Sequence, residues 1–191
     1  TPTLECLVSG GVIENSHIES EQLGTGFEYS IYLPPCYNAY PQQAYPVVYL
    51  LHGLSYTNEQ WLRIGLVDSM NMMIAEGTIV PFIVVLPYET IAEPPIISHF
   101  PDALSQELIP WVDAHYRTLA DKPHRAIGGV SRGAAWAVQI GFERRDLFSA
   151  IGAHSLPLFQ TDNTNINLWL SQEPIEDQPS VFIDIGRNDQ E

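Results

Sequence analysis

Apolar and polar residues alternate roughly along Gly11 to Glu19 and Phe27 to Leu33, the pattern of antiparallel strands with one face buried. Pro34, Pro35 and Tyr37 close the second segment. From Tyr45 onward the texture changes. Val47-Val48-Tyr49-Leu50-Leu51, Phe82-Ile83-Val84-Val85-Leu86, Ala126-Ile127 and Val181-Phe182-Ile183 are short apolar runs, which predict strands buried on both faces. Ser149 to Ala153 adds another strand, ending at His154. Between these runs Leu104, Leu108, Ile109, Val112 and Tyr116 fall at helical spacings. They predict a helix over Asp102 to Tyr116 in which Pro110 demands a kink or a late start. Helices are also predicted over Val67 to Ala75, Ala134 to Glu143 and Asn165 to Ser171.

Strands alternating with helices imply an α/β three-layer sandwich, a mostly parallel sheet covered on both faces and here preceded by an antiparallel pair. In such sheets ligands gather at the carboxyl ends of the strands. With 191 residues, 45% of them hydrophobic, the chain suffices for one sizeable core and not for two ordinary domains, so a single domain over 1–191 is expected. No run of eighteen apolar residues appears, which predicts a soluble chain without a membrane partner. The formal charge of −15 includes seven arginines and the single lysine Lys122; no basic stripe follows a phosphate backbone, which argues against nucleic acid. Cys6 and Cys36 are too few for a disulfide scaffold and are not spaced as a metal site or redox pair; a single bond between them stays open. A start at Thr1, without Met or a signal-type apolar segment, fits a processed secreted protein or an excised segment, and localisation leans extracellular.

The chemistry concentrates at predicted strand ends. Gly129-Val130-Ser131-Arg132-Gly133 matches G-x-S-x-G between a strand ending near Val130 and a helix beginning near Ala134, the context in which this pattern forms a nucleophile elbow. Ser131 is the candidate nucleophile, exposed on a strained turn at a helix N-terminus. His52-Gly53-Leu54 follows the strand Val47 to Leu51, where the second half of an oxyanion hole is supplied; the backbone amides of Leu54 and Arg132 are its candidate donors. His52 itself is read as a hydrogen-bonded loop anchor in preference to a base, because it lies in the wrong loop for proton transfer. Asp189, in Gly186-Arg187-Asn188-Asp189 after the strand Val181 to Ile185, fits the triad acid; Asp184, inside that strand, is its rival and is favoured as a structural group. The loops Pro87 to Phe100 and Ser155 to Thr164 leave strand carboxyl ends and are expected to shape a substrate pocket. Tyr88, Phe100 and Phe159 are its candidate aromatics, with His52 and His154 approaching it. Trp61 and Trp111 are expected in the core. No metal cluster or phosphate loop suggests a cofactor.

These residues resemble the esterase D-like family of α/β hydrolases, which includes feruloyl and acetylxylan esterases, enterochelin esterases, S-formylglutathione hydrolases and mycolyltransferases. The resemblance runs from about Ser20 to the last residue. It is carried by Tyr32-Leu33-Pro34-Pro35-Cys36-Tyr37, Tyr49-Leu50-Leu51-His52-Gly53-Leu54, Glu107-Leu108-Ile109-Pro110-Trp111-Val112, the Ser131 elbow and Asp146-Leu147-Phe148. It implies an α/β-hydrolase fold, Ser131 as nucleophile, Leu54 and Arg132 amides as oxyanion donors, Asp189 as acid, and hydrolysis of carbohydrate-linked acyl esters, acetyl or feruloyl in type. An acyltransferase of the same family, or a non-catalytic carbohydrate-binding module on this fold, are the alternatives. The departure lies in the triad order of serine, acid, histidine, since only Gln190 and Glu191 follow Asp189. The chain is therefore expected to lack a final helix and strand together with the base, and His154 is its weak substitute. An exposed sheet edge would then allow pairing with another chain as an oligomer.

Overall fold

The computed structural model describes residues 10–157, 159, 162–171, 174, 177–187 and 189. Cys6, Asn188, Gln190, Glu191 and Leu158, Gln160 and Thr161 of the second predicted loop lie outside the described residues. Among the described residues seven strands form one sheet: β1 (Val12–Ser20), β2 (Thr25–Leu33), β3 (Val47–Leu51), β4 (Ile83–Pro87), β5 (Arg125–Val130), β6 (Ala150–His154) and β7 (Ser180–Asp184). Their spatial order is β1-β2-β4-β3-β5-β6-β7. β1 and β2 pair antiparallel, β2 joins β4 antiparallel, and the strands from β4 to β7 are parallel. This is the mixed sheet that the alternation of short apolar runs with helical segments predicts.

Each central strand feeds two cores because its side chains alternate between faces. Phe27, Tyr29, Ile31, Ile83 and Val85 enter one cluster, and Tyr32, Val84 and Leu86 enter the other. On the second face lie α1 (Gln60–Arg63) and α2 (Leu66–Ala75), which bring Trp61, Leu62, Met70 and Ile74. The first face carries α3, formed by the continuous segments Phe100–Asp102, Ala103–Leu108 and Ile109–His115, then α4 (Arg132–Glu143) and α5 (Asp162–Ser171). Glu107 of α3 gathers the turn after β1, accepting the Ser20 hydroxyl and the backbone N–H groups of Glu21 and Gln22.

Two expectations need correction, and Pro110 is accommodated by a local change of helix: Ala103–Leu108 widens into a π-helix, the Ile109 N–H reaches back to Leu104 O, and Pro110 falls in the first turn of the α-helical segment Ile109–His115. The wider turn accommodates a residue that has no N–H and whose ring crowds the carbonyl four residues earlier. Trp111 is 40% exposed and stacks on His115, one turn further on, with ring centroids 3.6 Å apart. It points away from the face that buries Ile109 and Val112. β7 has the apolar run of a buried strand, yet Phe182 and Ile183 are 60% and 57% exposed. It is last in the sheet, and none of its side chains joins either described core cluster. Trp61 is half-buried against the second cluster, in line with its expected packing. Cys36 is disulfide-bonded.

The start of β5 is fixed electrostatically. Arg125 is 3% exposed and donates to Asp113 Oδ2 of α3 at 2.6 Å, while Thr118 Oγ1 donates to the other carboxylate oxygen at 2.7 Å. Removing one partner of such a pair strands a buried charge, at a cost of about 3 kcal/mol. Asp113→Ala is accordingly expected to lower the unfolding free energy by about that amount in urea titration. A loss below about 0.5 kcal/mol would show that the pair does not anchor β5.

Candidate active site

Ser131 joins β5 to α4 with φ 52° and ψ −124°. A non-glycine residue in this region carries about 1–3 kcal/mol of strain and persists only where its surroundings over-determine it. The surroundings here are backbone on every side. The Ser131 N–H donates to His154 O at 2.9 Å, and Ser131 O accepts from Ala134 N and Ala135 N at 2.8 and 3.1 Å. An added Cβ at Gly129 would lie 2.4 Å from the Gly133 carbonyl, and one at Gly133 would lie 2.5 Å from Leu51 O and 2.6 Å from His52 O. The two glycines thus let the head of α4 rest directly on the elbow and on the chain leaving β3.

The outcome is a half-buried serine at a helix N-terminus, beside the segment His52-Gly53-Leu54. The backbone N–H groups of Leu54 and Arg132 have no acceptor among the described hydrogen bonds outside regular elements, and the Arg132 N–H is one of the unpaired donors that every helix start presents. Such donors are what a developing oxyanion requires.

His52 is buried, at 5% exposure. Its Nδ1 lies 2.8 Å from Gly53 O, and its Nε2 accepts from the Glu89 N–H at 3.0 Å. Burial holds its pKa below the ordinary imidazole value, against the raising effect of the Gly53 hydrogen bond. This is the anchored histidine that its loop position suggests. Tyr88 packs beside it, with ring centroids 5.5 Å apart.

Glu89, which follows β4, was not singled out by spacing or motif. It is 7% exposed and receives Arg132 Nε at 2.8 Å and Nη2 at 2.6 Å, a bidentate fork. Arg132 also donates to Glu93 O at 2.6 Å and lies over the rings of Trp136 and Phe159 at 5.2 and 5.7 Å. Its place at a strand's carboxyl end was the one available signal. Gln60, whose Oε1 accepts from the Gly53 N–H at 2.8 Å, carries no sequence signal at all.

The two candidate acids occupy different arrangements. Asp184 accepts from His154 Nδ1 at 3.0 and 2.9 Å, and the His154 ring lies between Trp61 and Phe182 at 6.1 and 6.0 Å. Asp189 Oδ2 accepts from Ser155 Oγ at 2.6 Å and from the Gly186 N–H at 3.0 Å. The Ser155 bond first, and the Gly186 amide second, lower its pKa from the usual carboxylate value. Asp189 is therefore an ionised, preset carboxylate, whereas the histidine lies on Asp184. Among the pocket aromatics, Phe159 packs on Trp136 at 4.7 Å. Phe100 is a core residue, at 2% exposure, touching Phe27 and Trp136. It nonetheless lines a small pocket of about 80 Å³ with Leu23, Thr25, Ile91 and His99.

Residues 20–191 match the family described as "Putative esterase". The chain belongs to this esterase family. It is 33% identical over 158 residues to an endo-1,4-beta-xylanase/feruloyl esterase of Xylanibacter ruminicola, an alignment covering 76% of this chain and 22% of the relative, so the chain spans less than a quarter of that protein's length. Among solved structures it is similar to a ferulic acid esterase, with a TM-score of 0.81 and 22% identity over 93% of this chain and 80% of that one. It is likewise similar to the feruloyl esterase module from Clostridium thermocellum, solved as a serine-to-alanine mutant complexed with sinapinate, with a TM-score of 0.77 and 19% identity over 98% and 72% of the two chains. At these identities the structural likeness establishes the α/β-hydrolase fold for this esterase-family member.

The strain at the elbow sets a stability test. Ser131→Gly relieves about 1–3 kcal/mol of backbone strain against about 0.5–1 kcal/mol of added chain entropy. It is expected to raise the unfolding free energy by about 1 kcal/mol over Ser131→Ala, whereas Gly133→Ala is expected to lower it by about 1–3 kcal/mol through overpacking. Urea denaturation measures all three; a neutral Ser131→Gly would contradict the strained geometry.

Proposed function

We propose that this esterase-family chain is a serine carboxylesterase that works through an acyl-enzyme on Ser131. The observation that carries the reading is the strained, half-buried Ser131 beside two backbone N–H groups, those of Leu54 and Arg132, that have no acceptor among the described hydrogen bonds outside regular elements. In the first step Ser131 Oγ attacks the ester carbonyl and loses its proton to a base, and the carbonyl oxygen gains negative charge. The Leu54 and Arg132 amides hold that oxyanion, each for about 3 kcal/mol. Collapse expels the alcohol, and water then attacks the acyl-serine by the same route in reverse.

Asp189 is the acid of this reading because its carboxylate is preset by Ser155 and Gly186. In triad order a histidine base follows the acid, and Asp189 would orient that histidine. The substrate class we infer is acyl esters of carbohydrates, of acetyl or hydroxycinnamoyl type. Its support is the family membership, the feruloyl esterase name of the Xylanibacter relative and the sinapinate carried by the Clostridium module. The half-buried aromatics Tyr88 and Phe159 are suited to an aryl or sugar ring.

A second reading rests on the pairing of His154 with Asp184, the acid–histidine contact at the strand ends among the described residues outside the His52 loop. His154 closes β6 and pairs in register with Val130, next to Ser131. In this version His154 takes the serine proton and Asp184 orients it.

Hydrolysis of p-nitrophenyl acetate by the protein as its gene encodes it separates these ideas. Ser131→Ala is expected to abolish turnover while leaving the melting temperature nearly unchanged; surviving turnover would sink the nucleophile assignment. His154→Gln is expected to change kcat by less than about tenfold under the first reading. A loss matching that of Ser131→Ala, about 10³-fold or more, would instead install His154 as the base.

A further inference from the structure

We propose that His52 is a positioning residue for the oxyanion hole: its Nδ1–H orients the Gly53–Leu54 peptide, and Glu89 ties this histidine to Arg132, the residue that supplies the other amide. The inference rests on the oxyanion reading given above and adds to it the element that holds the donor in place.

The tautomer follows from the partners alone. A carbonyl oxygen only accepts, so the 2.8 Å contact with Gly53 O requires a hydrogen on Nδ1. An amide N–H only donates, so the 3.0 Å contact from Glu89 N requires a bare Nε2. His52 is thus neutral and protonated on Nδ1, and its burial favours the same uncharged form.

The Gly53 carbonyl and the Leu54 N–H belong to one planar trans peptide and point in opposite directions. Fixing the carbonyl therefore fixes the donor. Gly53 O accepts from His52 Nδ1 and also from the Tyr56 N–H at 3.0 Å, while the Gly53 N–H is held by Gln60. Leu54 cannot hold itself, because its side chain is 58% exposed. Donation to the carbonyl also polarises the peptide, which strengthens its N–H as a donor.

Glu89 closes the circuit. Its backbone N–H meets His52 Nε2, and its carboxylate receives the Arg132 fork. One chain of hydrogen bonds thereby runs from the Gly53–Leu54 peptide through His52 and Glu89 to the first residue of α4. The loops after β3, β4 and β5 are joined by it.

Two substitutions divide the roles of the imidazole. His52→Phe keeps a flat ring and removes the donor; His52→Asn keeps a nitrogen donor near the Nδ1 position and removes the Nε2 acceptor. With p-nitrophenyl acetate and the gene-encoded protein, His52→Phe is expected to lower kcat about 100-fold with KM within about twofold, the size of a lost oxyanion donor. His52→Asn is expected to recover at least about tenfold of that loss. A Phe variant with normal kcat, or an Asn variant no better than Phe, overturns the proposal. Nuclear magnetic resonance supplies a readout independent of turnover. In the parent protein at pH 7 the His52 15N spectrum is expected to show hydrogen on Nδ1 alone, and the Leu54 amide resonance to move in His52→Phe and return toward its original position in His52→Asn. The opposite tautomer, a charged ring or an unmoved Leu54 amide overturns the positioning role even if the protein hydrolyses nothing. Absence of Ser131-dependent turnover, with these resonances as expected, removes the esterase reading and leaves His52 as the support of the Leu54 peptide.

Discussion

The backbone of Ser131 cannot relax. At φ 52° and ψ −124° the residue sits where a side chain is disfavoured, and three different parts of the fold keep it there. β6 takes its N–H through His154 O, α4 takes its carbonyl, and the absent side chains of Gly129 and Gly133 let helix and strand close to backbone contact. Because Gly133 rests against Leu51 O and His52 O, the constraint that strains the serine also sets how near the loop after β3 can come. The Leu54 and Arg132 amides, the anchored His52 and the Glu89–Arg132 fork are arranged around that single close approach.

Electrostatics reinforces the geometry at two depths. Far from the serine, Arg125 and Asp113 pin the start of β5 to α3. At the other end of the same strand, Arg132 and Glu89 pin the start of α4 to the loop after β4, with side chains 12% and 5% exposed. Each pair sets one buried member against a half-buried one, and its worth lies less in net stability than in the cost of breaking it. Together they fix β5, the strand that carries the elbow, at its entry and at its exit.

What the sequence made legible divides along physical lines. Val47 to Leu51 and Phe82 to Leu86 announce buried strands because every position meets apolar neighbours, and the structure buries most of them. Val181 to Ile183 has the same texture, yet β7 is exposed. An apolar run reports what a strand can bury, not whether a layer covers it. The helix through Pro110 was visible in its apolar spacing, but the π-turn that admits the proline was not, since it arises from one missing N–H. At the site, Gly129, Ser131 and Gly133 could be read together because the sharp turn demands those residue types at that spacing. Glu89 and Gln60 could not, because their partners, the His52 imidazole, the Arg132 guanidinium and the Gly53 N–H, are brought close only by folding. Asp184 and Asp189 both stood out as acids near the end of β7. Only their neighbours, His154 for one and Ser155 with Gly186 for the other, distinguish them.

The central claim is that the strained Ser131 is the nucleophile. Its most direct test is to treat the gene-encoded protein with diethyl p-nitrophenyl phosphate, which phosphorylates an activated serine without being turned over, and to map the adduct by peptide mass spectrometry. The account predicts one diethylphosphoryl group per chain, carried on Ser131 and absent from Ser131→Ala. Ester turnover that persists without an adduct on Ser131, or an adduct on another residue that abolishes turnover, would contradict it.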